Sequence, residues 1–192
     1  MRVGVLALQG DFDAHRRRLA VLGAEVVLVR NPEELDSVDA LIIPGGESTT
    51  FLRLLERERF LEKLRQFVHI KPTFGTCAGA ILLAADVKNP AQPSLAALDI
   101  SVLRNAYGRQ VNSFIGAAET IVPGGPLEAV YIRAPRIERV GQNVDVLAKQ
   151  DGAPVWVRQG NIMAATFHPE LSHDTRVHAM FLKMAEEGQQ KR

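Results

Sequence analysis

Thr73-Phe74-Gly75-Thr76-Cys77-Ala78-Gly79-Ala80-Ile81-Leu82-Leu83 reads as a short apolar strand, a tight turn with glycine two residues before and after a cysteine, and the start of a buried helix. That is the strand-turn-helix setting of a nucleophile elbow. A side chain on so sharp a turn projects from the carboxyl edge of a sheet, and side chains at Gly75 or Gly79 would collide with neighbouring backbone. The helix beginning beside Cys77 favours the thiolate, which is the reactive form of cysteine. Most lone cysteines are buried structural residues. The paired glycines and the strand-to-helix setting weigh against that reading for Cys77.

Upstream of the elbow, Ala40-Leu41-Ile42-Ile43 is an apolar strand that stops at Pro44-Gly45-Gly46-Glu47-Ser48. Alone, Pro-Gly-Gly is a turn, but adjacent glycines let backbone N–H groups approach a substrate. In nucleophile-elbow folds the oxyanion hole joins such a loop to the N–H of the residue after the nucleophile, here Gly46 and Ala78. Downstream, a strand over residues 162–167 runs into His168-Pro169-Glu170. Proline keeps His168 out of helical geometry, and alternate residues of an extended segment share a side. Glu170 is thus predicted beside the His168 ring, fixing its tautomer while the other ring nitrogen serves Cys77. By itself the tripeptide reads equally well as a strand-end turn with a solvated histidine.

The rest of the chain supplies the frame. Residues 3–8 form a nearly continuous apolar strand and 11–22 an amphipathic helix ended by Gly23. Residues 25–29 are a second strand, and 31–38 a polar connection. Ser48 and Thr49 can cap a helix through Phe51, Leu52, Leu54 and Leu55, with a further helical stretch through Phe60, Leu61, Leu64 and Phe67. Residues 89–94 look like an exposed loop. Short strands are predicted at 100–103, 118–122, 129–132, 144–148 and 155–158, some of them antiparallel, before a last helix from about Thr175. The alternation of strands and helices is α/β.

The 192 residues are 46% hydrophobic, enough to bury one substantial core. With 23 basic and 22 acidic side chains, no broad positive field is available for nucleic acid or an anionic membrane. The single cysteine excludes an intrachain disulfide and fits a reducing cytosol, and no apolar run approaches a membrane span, so a cytoplasmic protein is expected. No zinc pattern emerges from His168, Glu170 and His173, while His173 and His178 lie five apart, off a common helical face. No metal site is predicted.

In order along the chain, Pro-Gly-Gly-Glu-Ser, Gly-Thr-Cys-Ala-Gly and a late His-Pro-Glu resemble the class I, triad-type glutamine amidotransferases. Ala7-Leu8-Gln9-Gly10, residues 44–50, Arg104-Asn105-Ala106-Tyr107-Gly108-Arg109-Gln110 and Ile132-Arg133-Ala134-Pro135 narrow the resemblance to the glutaminase subunits of pyridoxal 5′-phosphate synthases. The likeness spans nearly the whole chain. It implies a single-domain, flavodoxin-like three-layer sandwich with a mostly parallel central sheet and added antiparallel strands. The glutaminase domain would cover residues 1–188, with 189–192 a polar tail.

The resemblance further implies that Cys77 attacks the glutamine side-chain amide, His168 protonates the departing ammonia and Glu170 orients His168. By the same carry-over, Gly46, Glu47, Ser48, Arg104, Ile132 and Arg133 form the L-glutamine site. The chain would hold no cofactor, and its ammonia would pass to a (β/α)₈-barrel synthase subunit within a hetero-oligomer. Gln9, in the loop after the first strand, would couple the site to that partner. A glutaminase of the imidazole-glycerol phosphate synthase type shares the triad, but the segments at 104–110 and 132–135 argue against it. A non-catalytic flavodoxin-like module would need a phosphate loop, and Gln9-Gly10-Asp11-Phe12 lacks the glycine fingerprint.

Overall fold

The computed structural model describes residues 1–104 and 113–190. Its first half alternates as expected: β1 (Arg2–Leu6), α1 (Phe12–Val21), β2 (Glu25–Val29), β3 (Ala40–Ile43), α2 (Ser48–Arg57), α3 (Phe60–Ile70), β4 (Thr73–Thr76) and α4 (Ala78–Leu83). The second half is richer in strands: β5 (Ala84–Lys88), β6 (Leu98–Leu103), β7 (Ser113–Thr120), β8 (Leu127–Ile132), β9 (Arg136–Val140), β10 (Asp145–Gln150), β11 (Ala153–Gln159) and β12 (Ile162–Ala165). Helix α5 (Arg176–Gln190) closes it and takes in the first residues of the segment read as a polar tail. No helix among the described residues is long and apolar enough to cross a membrane.

The main sheet has the order β2-β1-β3-β4-β12-β11-β10-β7-β8. Its first five strands run parallel, and β11, β10, β7 and β8 extend it antiparallel. The continuous apolar character of β3 and β12 has its reason here, since every residue of both is buried between layers. Alternation within β3 sends Ala40 and Ile42 to one face, with Leu19, Phe74, Val177 and Phe181. Leu41 and Ile43 go to the other, with Phe51, Leu55, Phe60 and Leu64. Helices α1 and α5 thus cover one face and α2 and α3 the other, giving the three layers.

Two local features differ from expectation. The segment after β2 forms a 3₁₀ turn, Pro32–Ser37, fixed by a reciprocal cap in which Asn31 Oδ1 accepts from the Glu34 amide while the Glu34 carboxylate accepts from that of Asn31. A second sheet, β5-β6-β9, was legible only in its middle strand. Its other strands are short, with charged residues on the solvent side, as in the half-buried Asp86 to Lys88 and Arg136 to Arg139 stretches. Its inward residues Val87, Ile100, Val102 and Ile137 join the core beside α4.

The carboxyl ends of β1, β3, β4 and β12 meet at one edge of the sheet, where open α/β folds place their ligands. Gln9, Gly45, Cys77 and His168 each follow one of these strands.

Candidate active site

Cys77 occupies the junction of β4 and α4 with φ 49 and ψ −103, a positive-φ conformation that costs a non-glycine residue on the order of 1–3 kcal/mol. The Cys77 amide donates to Ala165 O of β12 at 2.8 Å, locking the turn to the adjacent strand. The flanking glycines are sterically required. A Cβ on Gly75 would lie 2.5 Å from the Gly79 carbonyl, and one on Gly79 would lie 2.1 Å from Ile43 O. The thiol is nearly buried and lies 4.0 Å from Ile132 O. Ala78, next in sequence, opens α4, whose first-turn N–H groups have no acceptor within the helix.

His168 hangs from the end of β12, its amide donating to Val130 O at 2.8 Å. Its Nδ1 and Glu170 Oε1 are 2.7 Å apart, both residues buried. The predicted pairing is present, but its backbone route differs: Pro169–Leu171 is a 3₁₀ turn rather than an extended segment. Proline at the first turn position explains this, because its fixed φ suits a helical start. The carboxylate fixes the proton on Nδ1 and leaves Nε2, which has no hydrogen-bond partner among the described residues, for Cys77. Burial works against a charged ring, yet the adjacent Cys77 thiol and Glu170 carboxylate outweigh it and raise the His168 pKa to about 10. Burial likewise opposes the Glu170 charge, but His15 and His168 hold its carboxyl below the usual range.

The loop after β3 comes up against this pair. A Cβ on Gly45 would meet His168 Cε1 at 2.5 Å and Cys77 Cβ at 3.3 Å, so glycine there lets the loop close on both. Gly46 has φ +142, and the Gln9 side chain lies where its Cβ would be. Gln9 Nε2 donates to Glu47 O at 2.9 Å, tying the β1 loop to this one.

Glu47, rather than Ser48 or Thr49, caps α2: its carboxylate accepts from the Thr49 amide at 3.0 Å and from the Thr50 amide and hydroxyl at 2.7 Å. Desolvation opposes the Glu47 charge, but those donors together outweigh it and lower its pKa to about 2. Ser48 is freed from capping and donates to Gln92 Oε1 at 2.9 Å. Arg104 Nη2 donates to Thr49 Oγ1 at 2.8 Å and approaches Glu47 Oε1 at 3.4 Å.

Gly46, Glu47, Ser48, Arg104, Ile132 and Arg133 all line one cleft of about 310 Å³ together with Cys77 and His168, a volume suited to a single amino acid. Asn105 to Gln110, part of the motif read in sequence, lies outside the described residues. Gly10, Asp11 and Ile81 also line the cleft and were not anticipated. In sequence Gly10 stands out only as part of the Ala7-Leu8-Gln9-Gly10 motif; a Cβ at its φ of +78 would sit 1.8 Å from Gly45 O, so glycine there lets the two loops meet. Ligand atoms of Asp11, His168 and Glu170 lie within 4.8 Å of one another. His168 Nδ1 and Glu170 Oε1 are already joined by their hydrogen bond, and His173 is not part of this group.

A thiol on a strained elbow, a His-Glu pair from the neighbouring parallel strand and a glycine loop from the strand on the other side make up the class I glutamine amidotransferase architecture. The chain belongs to the SNO glutamine amidotransferase family, which it matches over residues 5–187. It is 64% identical over 188 residues to the pyridoxal 5′-phosphate synthase subunit PdxT of Koribacter versatilis, covering 98% of this chain and 97% of that one. With the PdxT of Thermotoga maritima it shares 52% identity over 186 residues, covering 96% and 99%. A crystal structure of a glutamine amidotransferase superposes with a TM-score of 0.89 at 47% identity, covering 96% of this chain and 98% of that one. PurLQS from Thermotoga maritima shares the fold, with a TM-score of 0.70 at 16% identity over 97% and 96% of the two chains.

Proposed function

We propose that this chain is the glutaminase subunit of a pyridoxal 5′-phosphate synthase, hydrolysing L-glutamine to L-glutamate and ammonia. The observation that carries the chemistry is the convergence of Cys77, the His168-Glu170 pair and the Gly45-Gly46 loop on one amino-acid-sized cleft. Near-complete coverage of PdxT chains supports the pathway over a glutaminase of the imidazole-glycerol phosphate synthase type. Residues 1–188 then form one glutaminase domain, in keeping with the extent of the family match.

In this reading His168, held by Glu170 with Nε2 left for the cysteine, takes the proton from Cys77 Sγ. Cys77 Sγ attacks the amide carbon of glutamine, and the oxyanion is stabilised by backbone N–H groups of Gly46 and Ala78. Collapse breaks the C–N bond as His168 transfers its proton to the leaving ammonia, leaving a glutamyl thioester. His168 then takes a proton from water, whose oxygen adds to the thioester carbon. Breaking the C–S bond releases glutamate and restores the thiolate. Glu170 keeps the Nδ1 proton in place through both halves. Gly46, Glu47, Ser48, Arg104, Ile132 and Arg133 hold the substrate, one of the two arginines pairing with its α-carboxylate.

Ammonia is delivered to a (β/α)₈-barrel synthase subunit docked on this chain in a hetero-oligomer. Gln9 is the coupling residue: its hydrogen bond to Glu47 O makes the oxyanion loop responsive to the loop after β1.

A glutamine-derived diazo-ketone tests the substrate and the nucleophile together. Peptide mass spectrometry should find the adduct on Cys77, with labelling suppressed by excess L-glutamine. Labelling elsewhere, or labelling indifferent to glutamine, would refute the assignment.

A further inference from the structure

Behind the Cys77-His168-Glu170 constellation lies a second buried histidine pair. His15, on α1, and His178, on α5, are fully buried, with ring centroids 5.2 Å apart and His15 Nδ1 3.0 Å from His178 Nε2. The other nitrogen of His15, Nε2, is 3.1 Å from Thr76 Oγ1, on the last residue of β4 before the elbow. The same nitrogen is 3.3 Å from Glu170 Oε2, out of hydrogen-bond alignment, and that oxygen has no hydrogen-bond partner among the described residues. A buried carboxylate oxygen so placed drives the group toward its neutral form unless positive character stands nearby. His15 supplies it, through the Nε2 edge of its ring 3.3 Å away.

The tautomers follow from this contact. With its proton on Nε2, His15 presents N–H to the carboxylate and to Thr76, and its bare Nδ1 accepts from His178 Nε2–H. The opposite arrangement would set a lone pair against the Glu170 carboxylate and leave a buried N–H on His178 Nδ1, which has no hydrogen-bond partner among the described residues. Burial lowers the pKa of both histidines, so they act as neutral, oriented dipoles.

Resting on the glutaminase reading above, we propose that His15, oriented by His178, is a positioning residue that keeps Glu170 ionised and turned toward His168. The triad is thereby extended into a buried chain running from the elbow to α5. The Arg18 side chain secures the same turn, its Nε donating to the backbone carbonyl of Glu170 at 3.1 Å. The charged and titratable groups facing His15 are His178, Glu170, His168 and Asp11.

The test compares His15→Phe, which fills the space without an N–H, with His15→Gln, whose amide places an N–H near the former Nε2. Each is assayed for glutamine hydrolysis in complex with the synthase subunit, beside the unmodified chain and Cys77→Ala. His15→Phe should lower kcat about ten- to hundredfold with little change in KM, the scale of losing a group that orients a reacting residue. It should also move the acidic limb of the kcat/KM profile upward, as Glu170 becomes easier to protonate. His15→Gln should restore most of kcat and return the limb.

Unchanged kcat and pH profile in His15→Phe would overturn the proposal. A His15→Gln protein as impaired as His15→Phe, with the limb unmoved in both, would do so too, because the histidine would then serve packing alone. An inactive unmodified chain would instead count against the glutaminase reading.

Discussion

Gly45 and His168 are in such close contact that a methyl group at position 45 would stand 2.5 Å from the imidazole Cε1. The loop that frames one side of the cleft therefore also sets where the histidine ring can lie, and the two cannot be displaced independently.

Gly45→Ala should therefore impair the site out of proportion to its effect on the fold. The ring or the loop must give way, and misplacement of a reacting group by about 1 Å costs roughly a hundredfold in rate. Steady-state glutamine hydrolysis by the complex, read beside urea denaturation, checks this; activity within threefold of the unmodified chain would contradict the packing argument.

Cys77→Ala should abolish glutamine hydrolysis, and His168→Asn should lower it by about a hundred- to ten-thousandfold, the range for losing a general acid or base. Both should remain folded, since neither side chain fills much core. Initial rates of glutamate formation decide it, and full activity in either variant would sink the triad assignment.

Glu47→Ala should cost about 1 kcal/mol of stability through the lost cap of α2. It should also raise KM, because the carboxylate lies in the cleft and contacts Arg104. Denaturation midpoints and Michaelis curves measure the two effects separately, and a Glu47→Ala protein unchanged in both would contradict them.

Stability should depend on pH in two opposite senses. His178 has its pKa lowered from 6.5 to about 3, so below 6.5 the unfolded chain takes up a proton that the folded one refuses. Its contribution is lost as pH falls through that window, and His178→Phe should flatten the acid slope. His168, raised from 6.5 to about 10, contributes fully below 6.5 and loses that contribution as pH rises through 10. The stability difference between the unmodified chain and His168→Asn should shrink over that alkaline range. Chemical denaturation from pH 4 to 10 reads both slopes.

Much of this was legible in the sequence because it rests on local steric rules. Gly75 and Gly79 around Cys77 and the buried strand of residues 40–43 each carry their reason within a few residues, whereas the His168-Glu170 pairing was anticipated through an extended backbone that is in fact a 3₁₀ turn. The second sheet was less legible, because strands as short as β5 and β9 have one wet face and no long apolar run. The capping role of Glu47 was hidden by the better cappers that follow it, Ser48 and Thr49. The histidine chain could not be read at all: His15 and His178 are 163 positions apart and meet only because α1 and α5 cover the same face of the sheet.

Ammonia release from L-glutamine by the purified chain, with and without a pyridoxal 5′-phosphate synthase subunit and with Cys77→Ala as the blank, tests the central claim most directly. Hydrolysis should rise sharply when the synthase subunit is added and be absent from the Cys77→Ala protein. No ammonia in either condition, or equal release from the Cys77→Ala protein, would contradict it.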